Sequence, residues 1–153
     1  MTPTRLHDLL LTYWPGADLG FCAVWAENVD TADMAVRLGA DPATATTCTL
    51  RGISRGFHED PPGDDVGIVL IGRSGTWALA LQVQGSDITS PAAMAALSGG
   101  GGRAVGIGWH ANGGHAVDYA ADGAVSPTCS MTGREIDAAW LDAPHTRYLL
   151  RPA

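Results

Sequence analysis

Arg103–Ala121, RAVGIGWHANGGHAVDYAA, is the stretch on which the reading of this chain turns. Two apolar runs flank Asn112-Gly113-Gly114, a strong hairpin signal. Burial selects the register. A two-residue loop at Asn112-Gly113 would set Ile107 on one face with Asp118. A three-residue loop, Asn112 to Gly114, pairs Ala111 with His115, Trp109 with Val117 and Ile107 with Tyr119. Val105, Ile107, Trp109, Val117 and Tyr119 then share one apolar face. A slip of one residue turns a strand's side chains over, so the three-residue loop is expected.

The opposite face then carries Ala104, Gly106, Gly108, His110, Ala116, Asp118 and Ala120. Small residues on a sheet face imply close approach by something. His110 and Asp118 are the candidate catalytic residues, set diagonally across the strand pair at about 7 Å. A carboxylate beside an imidazole orients the ring for general-base or ligand work. The competing reading is two solvated polar residues on an exposed sheet face.

Outward from the hairpin, the chain alternates short elements with tight turns. Thr4 to Tyr13 reads as a first helix, stopped by Pro15-Gly16. Gly20 to Glu27 is a buried strand, and a helix capped at Asp30 or Thr31 runs through Leu38 to the stop at Gly39, with Ala32, Ala35, Val36 and Leu38 towards the core. Ala40-Asp41-Pro42 reads as a turn and Thr46 to Leu50 as a strand. Val66 to Gln84 forms a second hairpin about Arg73-Ser74-Gly75. In it Trp77, Leu79, Leu81 and Val83 oppose Ala78, Ala80, Gln82 and Gln84. The two hairpins are expected in one sheet.

Ser90 caps a short helix to Ser98, with Pro91 at its first position and Met94 and Leu97 inward. Gly99 to Gly102 follows. Phosphate cradles run from a strand through glycines into a helix; here the order is helix, glycines, strand, so a flexible connection is expected. Ala124 to Met131 is an edge strand broken by Pro127. Thr132 caps a last helix to Leu141, and the tail through Arg151 adds a strand or docks. The expected fold is α+β: one domain over residues 1–153, an antiparallel sheet of six to seven strands packed with three to four helices.

Composition narrows the function. At 46% hydrophobic and 16% charged residues, 153 residues suffice for a packed core. The net charge is −7, and every basic residue is arginine, which removes lysine chemistry and points to a high-GC genome. An acidic chain without a basic cluster is no nucleic-acid binder. No stretch reaches the roughly 18 apolar residues of a membrane span, and the N-terminus lacks signal-peptide features. Cys22, Cys48 and Cys129 are isolated, as expected of reduced thiols, so the expected location is cytoplasmic. His58, Glu59, Asp60, Asp64 and Asp65 cluster between Arg51 and Asp65, but their spacing matches no calcium or zinc loop. No metal and no cofactor are expected.

Tyr13-Trp14, Phe21 to Trp25, Arg37 to Asp41, Gly75 to Leu79, Leu97-Ser98 and Arg103 through Trp109, Asn112, Tyr119 and Asp122-Gly123 follow one another in an order and spacing that resembles an uncharacterised actinobacterial family of small cytoplasmic proteins, a domain of unknown function. The resemblance spans most of residues 13–125. It implies no substrate, cofactor or catalytic residue. It implies that His110 and Asp118, where family sequences carry Asn and a small polar residue, serve no family-wide chemistry.

Three functions follow. The first is a non-enzymatic binding or accessory protein for a protein partner or small ligand, of immunity-like or regulatory type, since no nucleophile, metal or phosphate motif is present. The second is a small-molecule enzyme or ligand-binding protein. There Trp25, Trp77, Trp109 and Trp140 would wall a pocket, His110 and Asp118 would act, and Trp109, His115, His58 and Glu59 are the binding candidates. The competing reading makes the tryptophans plain core, since Trp25, Trp77 and Trp109 sit in strands among other large residues. The third is a subunit of a larger assembly or homo-oligomer, its small-residue face covered by another chain. What covers that face separates the three.

Overall fold

A computed structural model describes residues 20–53, 63, 66–85, 87–111, 115–129 and 145–150. In chain order these form β1 (Gly20–Glu27), α1 (Thr31–Arg37), β2 (Ala40–Cys48), β3 (Gly67–Ser74), β4 (Trp77–Gln84), a 3-10 helix (Asp87–Thr89), α2 (Pro91–Ser98), β5 (Arg103–His110), β6 (His115–Ala121), β7 (Ala124–Cys129) and β8 (His145–Leu150). All eight strands lie in one sheet, in the order β2-β8-β3-β4-β1-β5-β6-β7. Every neighbouring pair is antiparallel. The α+β architecture is as expected, and the two hairpins share a sheet with β1 between them. The tail provides β8, which inserts between β2 and β3. The helices expected over residues 4–13 and 133–141 lie outside the described residues.

The sheet has two unlike faces. Cys22, Val24, Ala26, Val69, Ile71, Ala78, Ala80, Ala104 and Ala120 form one buried cluster with Met34, Ala35, Ile88, Met94 and Leu97 from the helices. Phe21, Ala23, Ile68, Leu70, Leu79 and Leu81 form the other, joined by Leu50 and Ile53 from a helical turn at residues 50–53. One strand set thus serves two cores, because alternate side chains of a strand point to opposite faces.

Capping fixes the helices over the first face. Asp30 caps α1, its Oδ1 accepting the Asp33 N–H at 2.7 Å. Ser90 caps α2, accepting the Ala93 N–H at 3.3 Å. Arg37 joins the two helices. It pairs with Asp33 one turn earlier, and its Nη1 donates to the Ala96 and Gly99 carbonyls at 3.1 and 3.2 Å. These are the carbonyls a helix C-terminus leaves without intrahelical donors.

Gln82, expected on the small or polar face, lies beneath the 3-10 helix at 2% exposure. Its Oε1 accepts the Ile88 N–H and its Nε2 donates to the Gln84 carbonyl, both at 3.0 Å. Both ends of the buried amide are satisfied.

Three expectations are corrected. The inward face of α1 is Met34 and Ala35, with Leu38 packed beside them, while Val36 is 58% exposed. A helix of seven residues has too few turns for its apolar phase to be read from composition. The second strand spans Ala40–Cys48, not Thr46 to Leu50. The turn chemistry at Asp41-Pro42 is nonetheless real: Asp41 Oδ1 accepts the Ala43 N–H at 3.0 Å and its carbonyl accepts the Thr44 hydroxyl at 2.7 Å. It makes an irregularity within β2, where the pairing to β8 shifts between Asp41 and Thr46.

The glycine run is the third. Gly100 and Gly101 hold φ of +80° and +84°, a region in which glycine pays no Cβ penalty. A Cβ on Gly102 would meet the Glu27 carbonyl oxygen at 3.2 Å. The Gly101 N–H donates to Asp122 Oδ1 at 2.9 Å and the Asp122 N–H to the Gly102 carbonyl at 3.0 Å. The connection is a clasp on the β6–β7 turn. Ser98 completes it, accepting the Gly123 N–H at 3.1 Å while donating to the Met94 carbonyl at 2.9 Å.

Both sheet edges are irregular. β2 carries Pro42 beside its register shift. In β7, Pro127 and Thr128 together oppose the single residue Asp118, because the ladder passes from Tyr119–Ser126 to Val117–Cys129. Extra residues of this kind are β-bulges, which bend a strand and interrupt its ladder.

Candidate functional site

The hairpin pairs Trp109 with His115, Ile107 with Val117, Gly106 with Asp118 and Val105 with Tyr119. The register therefore lies two residues from the expected one. Faces survive a shift of two and partners do not. Val105, Ile107 and Trp109 still share a face with Val117 and Tyr119. Asp118, however, opposes Gly106, four residues from His110 along β5. At roughly 3.3 Å per residue this separates the backbones of His110 and Asp118 by about 13 Å along the strand. The diagonal pair expected at about 7 Å is not formed.

The cover of the small-residue face is also visible. A Cβ on Gly106 would meet Thr89 Cγ2 at 3.0 Å and Met94 Sδ at 3.2 Å. Ala104 and Ala120 beside it are fully buried in the same cluster as Met94 and Leu97. At Ala104, Gly106 and Ala120 the close approach is made by α2 and the 3-10 helix of the same chain, whereas Gly108 and Ala116, farther towards His110, are half-buried. His110, farther along β5, is exposed and faces Gly20 of β1; a Cβ there would lie 3.4 Å from its Cδ2.

Cys22 is buried with its Sγ 3.4 Å from Thr89 Oγ1, and Cys48 is of intermediate exposure. Among the described residues no three His, Cys, Asp or Glu side chains gather in a metal-binding arrangement, and no helix is long and apolar enough to cross a membrane. His58 and Glu59 lie outside the described residues, as does Trp140.

The opposite face carries a groove. Trp25, Ser74, Trp77, Val105 and Ile107 line a space of about 290 Å³ that opens to solvent. Its walls are set by successive cross-strand rows. Ser74, Trp77 and Glu27 are in register across β3, β4 and β1. Gly72, Leu79, Trp25, Val105 and Tyr119 form the next row across five strands. Leu81, Ala23, Ile107 and Val117 form the one after. Trp109 lies farther along the face, stacked on Phe21 with ring centroids 4.3 Å apart and planes at 18°. The contact adds a ring–ring interaction to the apolar packing of that end of the face.

An ion pair borders the groove. Arg103 donates from Nε and Nη2 to the two Glu27 carboxylate oxygens, each at 2.6 Å. Its guanidinium carbon lies 5.7 Å from the Trp77 ring centroid, within cation–π range. The forked hydrogen bond holds the Glu27 carboxyl below its ordinary range, outweighing the opposing effect of burial, and the charge of Arg103 adds to it. The same contact raises the Arg103 guanidinium. Glu27 and Arg103 are separated by 75 intervening residues, and only the placement of β1 beside β5 brings them together.

Trp25 and Trp77, expected as pocket walls, do line one. It lies on the face opposite His110 and Asp118, so tryptophan walls and the histidine–carboxylate chemistry do not share a site. Ser74, Arg103 and Glu27 were not legible as site residues. The only signal was that Arg103 and Glu27 each sit at the end of a strand. No protein-family model, no curated protein and no solved structure matches the chain.

Proposed function

We propose that this protein is a non-enzymatic binding protein whose site is the Trp25–Trp77 groove, and that the groove takes a small molecule with a flat apolar ring. The groove's composition carries the reading. Two indoles and two aliphatic side chains present an apolar surface with one hydroxyl, Ser74. Small-molecule sites are mostly apolar and sparing in polar groups, with volumes from about 300 Å³ upward, and the groove stands at the lower end of that range. A space of about 290 Å³ suits a ring system better than a peptide segment. The separation of His110 from Asp118 in the ladder supports binding without chemistry. The resemblance to the actinobacterial family is likewise a proposal, resting on the order of the residues quoted above.

The test is titration with N-phenyl-1-naphthylamine, an uncharged ring probe whose fluorescence rises in apolar surroundings. Saturable binding is expected, lost in Trp77→Ala and retained in Val125→Ser, a change at an exposed position of β7. Binding that persists unchanged in Trp77→Ala overturns the site.

A further inference from the structure

Arg103 is the positive charge at the rim of the groove, and its pairing with Glu27 leaves it incompletely used. Glu27 takes Nε and Nη2. Nη1 has no hydrogen-bond partner among the described residues. The Arg103 side chain is 52% exposed and that of Glu27 20%, so the outer edge of the guanidinium faces solvent. Trp77 lies under that guanidinium and also forms part of the groove wall. A ring seated against Trp77 therefore lies beside a cation whose remaining donors point outward.

We infer that the groove selects flat aromatic anions, with the ring against Trp25 and Trp77 and a carboxylate or sulfonate on Arg103. The inference rests on the groove being a binding site and adds its charge preference. Guanidinium hydrogen bonds to oxyanions are among the stronger polar contacts, because the donor is charged and its fork is rigid. The chain's net charge of −7 works the other way and repels anions at long range. A preference for an anion therefore has to arise locally. Glu27 competes for the same guanidinium, so it attenuates the site: the anion shares Arg103 with an internal carboxylate.

Two probes with one ring skeleton separate the inference from the reading beneath it. 8-Anilinonaphthalene-1-sulfonate carries a sulfonate that N-phenyl-1-naphthylamine lacks. The sulfonate is expected to bind about ten-fold tighter to the native chain, the scale of one charge-assisted hydrogen bond. Arg103→Gln should erase that difference, so that the two probes bind alike. Glu27→Gln should strengthen sulfonate binding several-fold, and added salt should weaken it. Near-ultraviolet circular dichroism of each variant checks that the fold persists. Equal binding of the two probes, both lost in Trp77→Ala and both indifferent to Arg103→Gln, overturns the charge preference and leaves the groove standing. If neither probe responds to Trp77→Ala, both fall.

Discussion

The two faces of this sheet are built from the same strands and solve opposite problems. Beneath α2 the strands offer Ala104, Gly106 and Ala120, and Met94 and Thr89 come close enough that a Cβ on Gly106 would be crowded. On the other face the strands offer Trp25, Trp77, Val105 and Ile107, which leave space between them. Small side chains were the first place to look for a ligand, because they suggest room. At Ala104, Gly106 and Ala120 they are small because a helix is already there. Large side chains, which suggest a filled core, frame the groove. Residue size on a sheet face reports how near the next layer lies, and it identifies an empty site only once that layer is known.

The comparison can be broken at its strongest point first. Leu97→Ala removes a fully buried side chain of α2 and should cost about 2–5 kcal/mol in chemical denaturation. A loss well under that range would mean that α2 does not seal the face. Gly106→Val should cost about 1–3 kcal/mol through overpacking. Its contact is with Thr89 Cγ2, so Thr89→Ser in the same chain should return part of the loss. A double-mutant cycle reads that coupling, and simple additivity would show that the approach is looser than described.

The groove face should behave differently. Trp77 is only partly buried, and Trp77→Ala should cost about 1 kcal/mol while removing ring-probe binding. The smallest effect belongs to Glu27. Its carboxyl titrates lower in the folded chain than its ordinary value of 4.5. Its stabilising contribution is therefore present above that value and lost as pH falls through the lower folded one. The melting temperatures of the native chain and of Glu27→Gln should differ at neutral pH and converge in acid. A gap that stays constant down the pH scale would show that the Arg103 pair is not responsible.

Much of this fold was legible because periodicity survives errors of detail. Alternation put Val105, Ile107, Trp109, Val117 and Tyr119 on one face, and it remains right even though the register is displaced by two residues. The same displacement dissolved the His110–Asp118 pair, because proximity depends on register and face does not. Ser90, Pro91, Met94 and Leu97 announced α2 by capping and spacing, both of which are local. The position of β8 between β2 and β3 had no local signal, and neither did the Arg103–Glu27 pair, since each depends on which strands become neighbours. Trp25 and Trp77 read from the sequence as core residues as readily as pocket walls, because alternation gives their face and not the space beside it; that they border one groove across β1 and β4 had no local signal.

Pro42 and Pro127 sit at the two outer strands, each beside a break in the ladder. A growing fibril needs a straight donor row on which the next chain can dock. Each outer strand here withholds a backbone N–H at its proline and bends where its ladder breaks. Among the described residues, both edges of the sheet thus resist lengthening in width. Replacing Pro127 with threonine restores that N–H and is expected to speed filament formation, followed by thioflavin T fluorescence at high protein concentration.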